Sequence, residues 1–126
     1  MSGKHPELRI EKREGYLEAV CPRYCCQEAC ANCIHRMFDA LQSGNCSRLL
    51  IDYTATTDRI PVLDLYQLGC EVARLNKQKP SKVAVVAARE ATYPDRFFET
   101  VVNNRSVHLR VFVDDFDGAR TWLLEG

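Results

Sequence analysis

Apolar and polar positions alternate along the chain with two different periods, and the changes of period mark nine segments. Leu8-Arg9-Ile10 and Tyr16-Leu17-Glu18-Ala19-Val20 repeat every two residues on either side of the charged stretch Glu11-Lys12-Arg13-Glu14-Gly15. That is the pattern of two half-buried strands joined in a hairpin. Over about 24–42 the period lengthens, and Cys26, Cys30, Cys33 or Ile34, Met37 or Phe38, and Leu41 fall on one helical stripe that Ser43-Gly44-Asn45 ends. Arg48-Leu49-Leu50-Ile51-Asp52-Tyr53 is a short apolar run between turn residues, as expected of a strand covered on both faces. Pro61 then opens a helix whose stripe is Leu65, Leu68, Val72 and Leu75, stopped by residues 76–80. Residues 82–88 form a second buried strand, rich in Val and Ala. Thr92 and Asp95 read as a capping pair for a helix to about residue 104, with Phe97, Phe98, Val101 and Val102 inward. Alternation returns over 107–113. Asp114 and Asp117 then have the spacing of a cap and a third-position acid for a terminal helix carrying Trp122 and Leu123 or Leu124.

The order β-β-α-β-α-β-α-β-α predicts an α/β fold. Right-handed crossovers should give a mostly parallel central sheet, with the N-terminal antiparallel hairpin at its edge and helices packed on it. Neither a repeat nor a linker interrupts the pattern, so residues 1–126 are expected to be one domain, with 1–7 a flexible lead.

Composition narrows the function classes. Seventeen Lys and Arg balance seventeen Asp and Glu, which removes the electrostatic footprint of a nucleic-acid or anionic-membrane binder. No run approaches the ~20 apolar residues of a membrane span, and no apolar stretch follows the N-terminal charges, so a cytoplasmic address is expected. Seven cysteines, an odd number in a chain without an export signal, read as reduced thiols.

The stretch Asp95-Arg96-Phe97-Phe98-Glu99-Thr100-Val101-Val102-Asn103-Asn104-Arg105, leading into Val107-His108-Leu109-Arg110-Val111-Phe112, carries a family likeness. Arg48-Leu49-Leu50-Ile51-Asp52, Asp58-Arg59 and Leu65-Tyr66-Gln67-Leu68-Gly69 add to it. With this order of elements the chain resembles the SpoIIAA-like, or STAS-type, domains, especially the bacterial branch grouped as STAS/SEC14-like proteins. The resemblance implies a non-catalytic module that docks a protein partner through the second helix and its preceding loop, at Thr57, Asp58, Arg59, Leu63 and Tyr66, and that forms a homo-oligomer. It also implies, as the alternative, a binder of a small apolar or anionic molecule near Arg89, Tyr93, Arg96 and Phe97. The family's phosphorylation switch is an Asp followed by paired hydroxyl residues and glycine. Here the helix start reads Ile60-Pro61-Val62-Leu63-Asp64, leaving only Thr54, Thr56 and Thr57 upstream.

Two further features of the residues themselves bear on chemistry. Cys26, Cys30 and Cys33 stand at i, i+4 and i+7, with Cys21 and Cys25 before them, so segment 21–33 groups thiols as zinc or another soft metal would require. Free Cys is also a small, readily buried hydrophobe, and the same stripe continues into Met37 and Leu41, so filling the core without any cofactor is the principal expectation. His35, two residues from Cys33, belongs to another face and to a surface contact. The loops after the parallel strands, where α/β sheets hold ligands, contain Asp52, Arg59, Arg89, Tyr93 and Asp114, but no phosphate loop, dinucleotide fingerprint or nucleophile elbow. Capping or turn formation is the expected role of these acids, and no catalytic residue is assigned.

Overall fold

A computed structural model describes residues 8–24, 26–78, 80–93, 96–103 and 107–125, apart from the side chain of Phe97. Its elements are β1 (Arg9–Arg13), β2 (Tyr16–Val20), α1 (Gln27–Ser43), β3 (Arg48–Tyr53), α2 (Val62–Asn76), β4 (Lys82–Ala87), a 3-10 turn (Arg89–Ala91), α3 (Phe97–Asn103), β5 (His108–Val113) and α4 (Phe116–Leu124). The strands form one sheet in the order β1-β2-β3-β4-β5, with β1 antiparallel to β2 and every other pair parallel. The α/β architecture and the order of elements read from the sequence are therefore those observed. The lead 1–7 lies outside the described residues.

The period of two in each strand assigns side chains to faces. Leu17, Ala19, Leu49, Ile51, Val83, Val85 and Leu109 meet Ile34, Met37 and Leu41 of α1, Leu68 and Val72 of α2, and Val102 of α3 in the main core. Alternate residues, Tyr16, Leu50, Ala84 and Val86, face the other way and bury Ala119 and Leu123 of α4. β3 and β4 are thus covered on both sides, which accounts for their uninterrupted apolar runs.

Local signals set the boundaries. Arg13 pairs with Tyr16, leaving the two-residue turn Glu14-Gly15, and Gly15 takes φ +90°, a conformation open to glycine. α1 begins at Gln27 because Cys26 is its N-cap, the sulfur accepting from the Ala29 N–H at 3.4 Å. The terminal helix is capped by Asp115, whose Oδ1 accepts from the Gly118 N–H at 2.9 Å. The expected cap, Asp114, instead turns the chain at φ 53°, so the cap lies one residue later than the spacing suggested. Of the expected capping pair before α3, Asp95 lies outside the described residues. Thr92 closes the 3-10 turn by donating to the Arg89 carbonyl at 2.8 Å, and Arg96 immediately precedes the helix. At the C-terminal end of α4, the Lys82 ammonium donates to the Trp122 carbonyl and lies 4.5 Å from the indole ring centroid. No helix among the described residues is long and apolar enough to cross a membrane.

Candidate functional site

Where the parallel strands end, the sheet and the three helices of the main face border an open-mouthed cavity of about 330 Å³. Ile51, Val85 and Val111 are register neighbours across β3, β4 and β5, and with Tyr53, Ala87 and Val113 one pleat further on they make its floor. Ile34 and Met37 of α1, Leu65 and Leu68 of α2, and Phe98 of α3 contribute the opposite walls. The wall also includes Ala87, Cys21 and Cys30, small side chains that leave volume larger apolar residues would take.

Two loops meet at the mouth. Tyr93 donates its hydroxyl to the Ile60 carbonyl at 2.6 Å, and Arg59 Nε donates to the Thr92 carbonyl at 2.9 Å with its guanidinium 5.1 Å from the Tyr93 ring centroid. The β3–α2 loop is fixed from within as well. Asp52 Oδ1 accepts from the Thr54 N–H and hydroxyl at 3.0 and 2.6 Å, the turn role expected of that acid. Thr56 is buried and its hydroxyl oxygen accepts from the Tyr24 N–H at 2.8 Å, while the Tyr24 hydroxyl donates to Asp64 at 2.9 Å.

The polar lining is sparse. Arg89, Thr92, Tyr93, Arg96 and Glu99 all border the cavity, so three of the four residues proposed from sequence for a small ligand come together there. The fourth, Phe97, opens α3, but its side chain lies outside the described residues. Glu99 was not singled out from the sequence. It is only 7% exposed, and its Oε2 accepts from the Val111 N–H at 3.1 Å and from Arg96 Nη1 at 3.4 Å. The signal for it was present: Glu99 stands three residues before Val102, which puts an acid beside the apolar stripe of its helix.

No protein-family model matches the chain, and no curated protein matches it significantly. Its chemistry is therefore argued from the residues.

The thiols divide between two environments. Cys21 is buried, and burial first, then neighbouring Cys30, Cys33 and Asp52, pushes its thiol far above the ordinary range. A thiol held protonated in this way is a poor nucleophile and a poor metal ligand. Cys30 and Cys33 are half-buried against the core, Cys30 with its sulfur 3.8 Å from the Tyr53 hydroxyl. Burial, followed by the influence of Cys30, likewise raises Tyr53. Cys26 departs from the expected inward stripe because capping α1 leaves it exposed. Among the described residues no three His, Cys, Asp or Glu side chains are placed to hold a metal ion. Cys25 lies outside them. Cys46 and Cys70 are half-buried. His35 makes the surface contact expected of it, pairing with Glu71 of α2 beside Arg74.

Of the residues proposed for partner docking, Arg59 stands at the cavity mouth, and Thr57, Asp58, Leu63 and Tyr66 lie outside the cavity lining. Thr57, Asp58 and Arg59 are exposed on the loop, and Leu63 and Tyr66 are 66% and 41% exposed on the first turns of α2, next to exposed Val62. Asp58 reaches Arg23 at 3.5 Å across open solvent.

Proposed function

We propose that the chain is a non-catalytic binding module of the STAS type that holds one small molecule, apolar in its body and polar at one end, at the ends of its parallel strands. The observation that carries this reading is the cavity itself. The cavity is open at its mouth and lined chiefly by apolar side chains. Water held there finds few polar partners, and an apolar guest displaces it favourably. At roughly 30 Å³ for a water-sized group, the cavity has room for about ten such groups, the body of a small molecule. The mouth suits a polar end, because Arg89 and Arg96 border it and are exposed.

Native mass spectrometry on protein purified without detergent tests this. The expected spectrum shows a retained small-molecule mass, or uptake of added decanoate by protein that arrives without one. Protein that stays at its bare mass and takes up neither decanoate nor 1-decanol would refute the reading.

A second reading is favoured by the exposed apolar turn of α2. Val62, Leu63 and Tyr66 present apolar area that the core does not use, and a cytoplasmic protein partner or a second copy of the chain would cover it. Sedimentation across a wide concentration range tests the homo-oligomer. A monomer throughout, with Leu63→Glu unchanged in behaviour, counts against it.

A further inference from the structure

We infer that the site selects acids carrying a hydrogen-bond donor beside the carboxyl group, and that Glu99 makes the selection. This rests on the reading of the cavity as a ligand site.

Most polar side chains on the cavity wall are committed to the protein. The Tyr93 hydroxyl donates to the Ile60 carbonyl, the Thr92 hydroxyl donates to the Arg89 carbonyl, and the Tyr53 hydroxyl lies against the Cys30 sulfur. Glu99 is committed only by half. Both of its contacts, the Val111 N–H at 3.1 Å and Arg96 Nη1 at 3.4 Å, fall on Oε2. Among the described residues nothing donates to Oε1, although the side chain is only 10% exposed. A carboxylate offers about four acceptor positions, and Oε1 is not sealed off from its surroundings, so a donor can still reach it. A donor on the ligand is what that oxygen lacks.

Arg89 supplies the complementary half. It borders the same cavity, is exposed, and has no side-chain partner among the described residues. Its planar guanidinium is suited to a carboxylate. A plain fatty acid would meet Arg89 but would bring its own charge toward Glu99 without satisfying Oε1. A plain alcohol would satisfy Glu99 and leave Arg89 unused. Both groups are engaged by a carboxylic acid that also bears a hydroxyl or ammonium, followed by an apolar chain of the length the cavity takes.

Calorimetric titration of the full chain with decanoate, 3-hydroxydecanoate, 2-aminodecanoate and 1-decanol tests the inference. The hydroxy or the amino acid should bind about tenfold more tightly than decanoate, the size of effect one charge-assisted hydrogen bond produces. Which of the two is tighter identifies the donor. In Glu99→Gln, whose amide oxygen still accepts from the Val111 N–H, an NH2 donor replaces Oε1, so the preference for 2-aminodecanoate should vanish and that for 3-hydroxydecanoate, whose hydroxyl can accept from the NH2, should shrink. Arg89→Gln should weaken the three acids together and leave 1-decanol unchanged. Decanoate binding the wild-type chain as tightly as both donor-bearing acids would overturn the inference while leaving the ligand site standing, as would preferences left undiminished in Glu99→Gln. If Glu99→Gln does not fold, the wild-type series decides alone. Failure of all four probes would sink the ligand site and this inference with it.

Discussion

The cavity makes one substitution unusual: Ala87→Leu should stabilise the protein while impairing ligand uptake. Ala87 is 6% exposed and lies on the cavity floor near the end of β4. Leucine adds three carbons, worth about 2.4 kcal/mol at ~0.8 kcal/mol per buried methylene. Ordering the longer side chain returns ~0.5–1 kcal/mol. The net gain of about 1.5 kcal/mol corresponds to a rise in Tm of roughly 5 °C for a domain of this size. Ala84→Leu is the control, on the same strand but the opposite face. Ala84 is fully buried against α4 and does not line this cavity, so the added carbons overpack and should cost ~1–3 kcal/mol. Thermal unfolding followed by circular dichroism gives the two shifts, and titration with decanoate gives the loss of binding, expected to be tenfold or more for Ala87→Leu. If Ala87→Leu lowers Tm as Ala84→Leu does, the space is not there to be filled and the argument from volume fails.

Other consequences are more local. Gly69→Ala should destabilise by ~1–3 kcal/mol in urea unfolding, because a Cβ at that position would stand 2.7 Å from Val101 Cγ1 where α2 meets α3. Asp115→Ala removes the cap of α4 and should cost about 1 kcal/mol by the same measurement, with Asp115→Asn retaining most of the stability. Glu71 is held below its ordinary value of 4.5, first by the Arg74 hydrogen bond and then by His35. A lowered folded pKa means that its contribution is complete above 4.5 and disappears as pH falls through the folded value. Urea midpoints taken downward from pH 6 should therefore decline less steeply for Glu71→Gln than for the wild type; equal slopes would remove Glu71 from the acid response.

Most of the architecture could be read from periodicity, because each strand and helix presents a face to a core and the face leaves a pattern. β3 and β4 were readable as doubly covered strands since apolar residues occupy both parities, and the observed double cover by α4 and the other three helices is the cause. Boundaries were less accurate where capping was decided by a backbone conformation: Asp114 and Asp115 are both acids, and only the left-handed turn at Asp114 determines which of them caps α4. Cys26 matches the helical stripe by spacing yet lies outside the helix, so its thiol faces solvent instead of the core. Arg89 and Tyr93 could be nominated because they follow a parallel strand end, where α/β sheets gather ligands, and Arg96 through the family likeness. The cavity between them could not, since it is volume that residues from six elements fail to fill, and missing volume has no period.

Glu99 illustrates why a residue can look wrong locally and still fit the whole. A buried acid on a seven-residue helix is a poor choice for either helix or core, yet β5 is the last strand of the sheet and its outward N–H groups need acceptors. Glu99 takes the Val111 N–H, and Asn103, one turn on, takes the Leu109 N–H at 3.4 Å. Two side chains of α3 thus stand where a neighbouring strand would otherwise pair, which blocks edge-to-edge association and fixes α3 against the sheet. Because the same helix walls the cavity, the residue that covers the edge also borders that space. One residue thereby serves both the sheet edge and the cavity wall, and its burial is tolerated because Arg96 and the Val111 N–H share its charge.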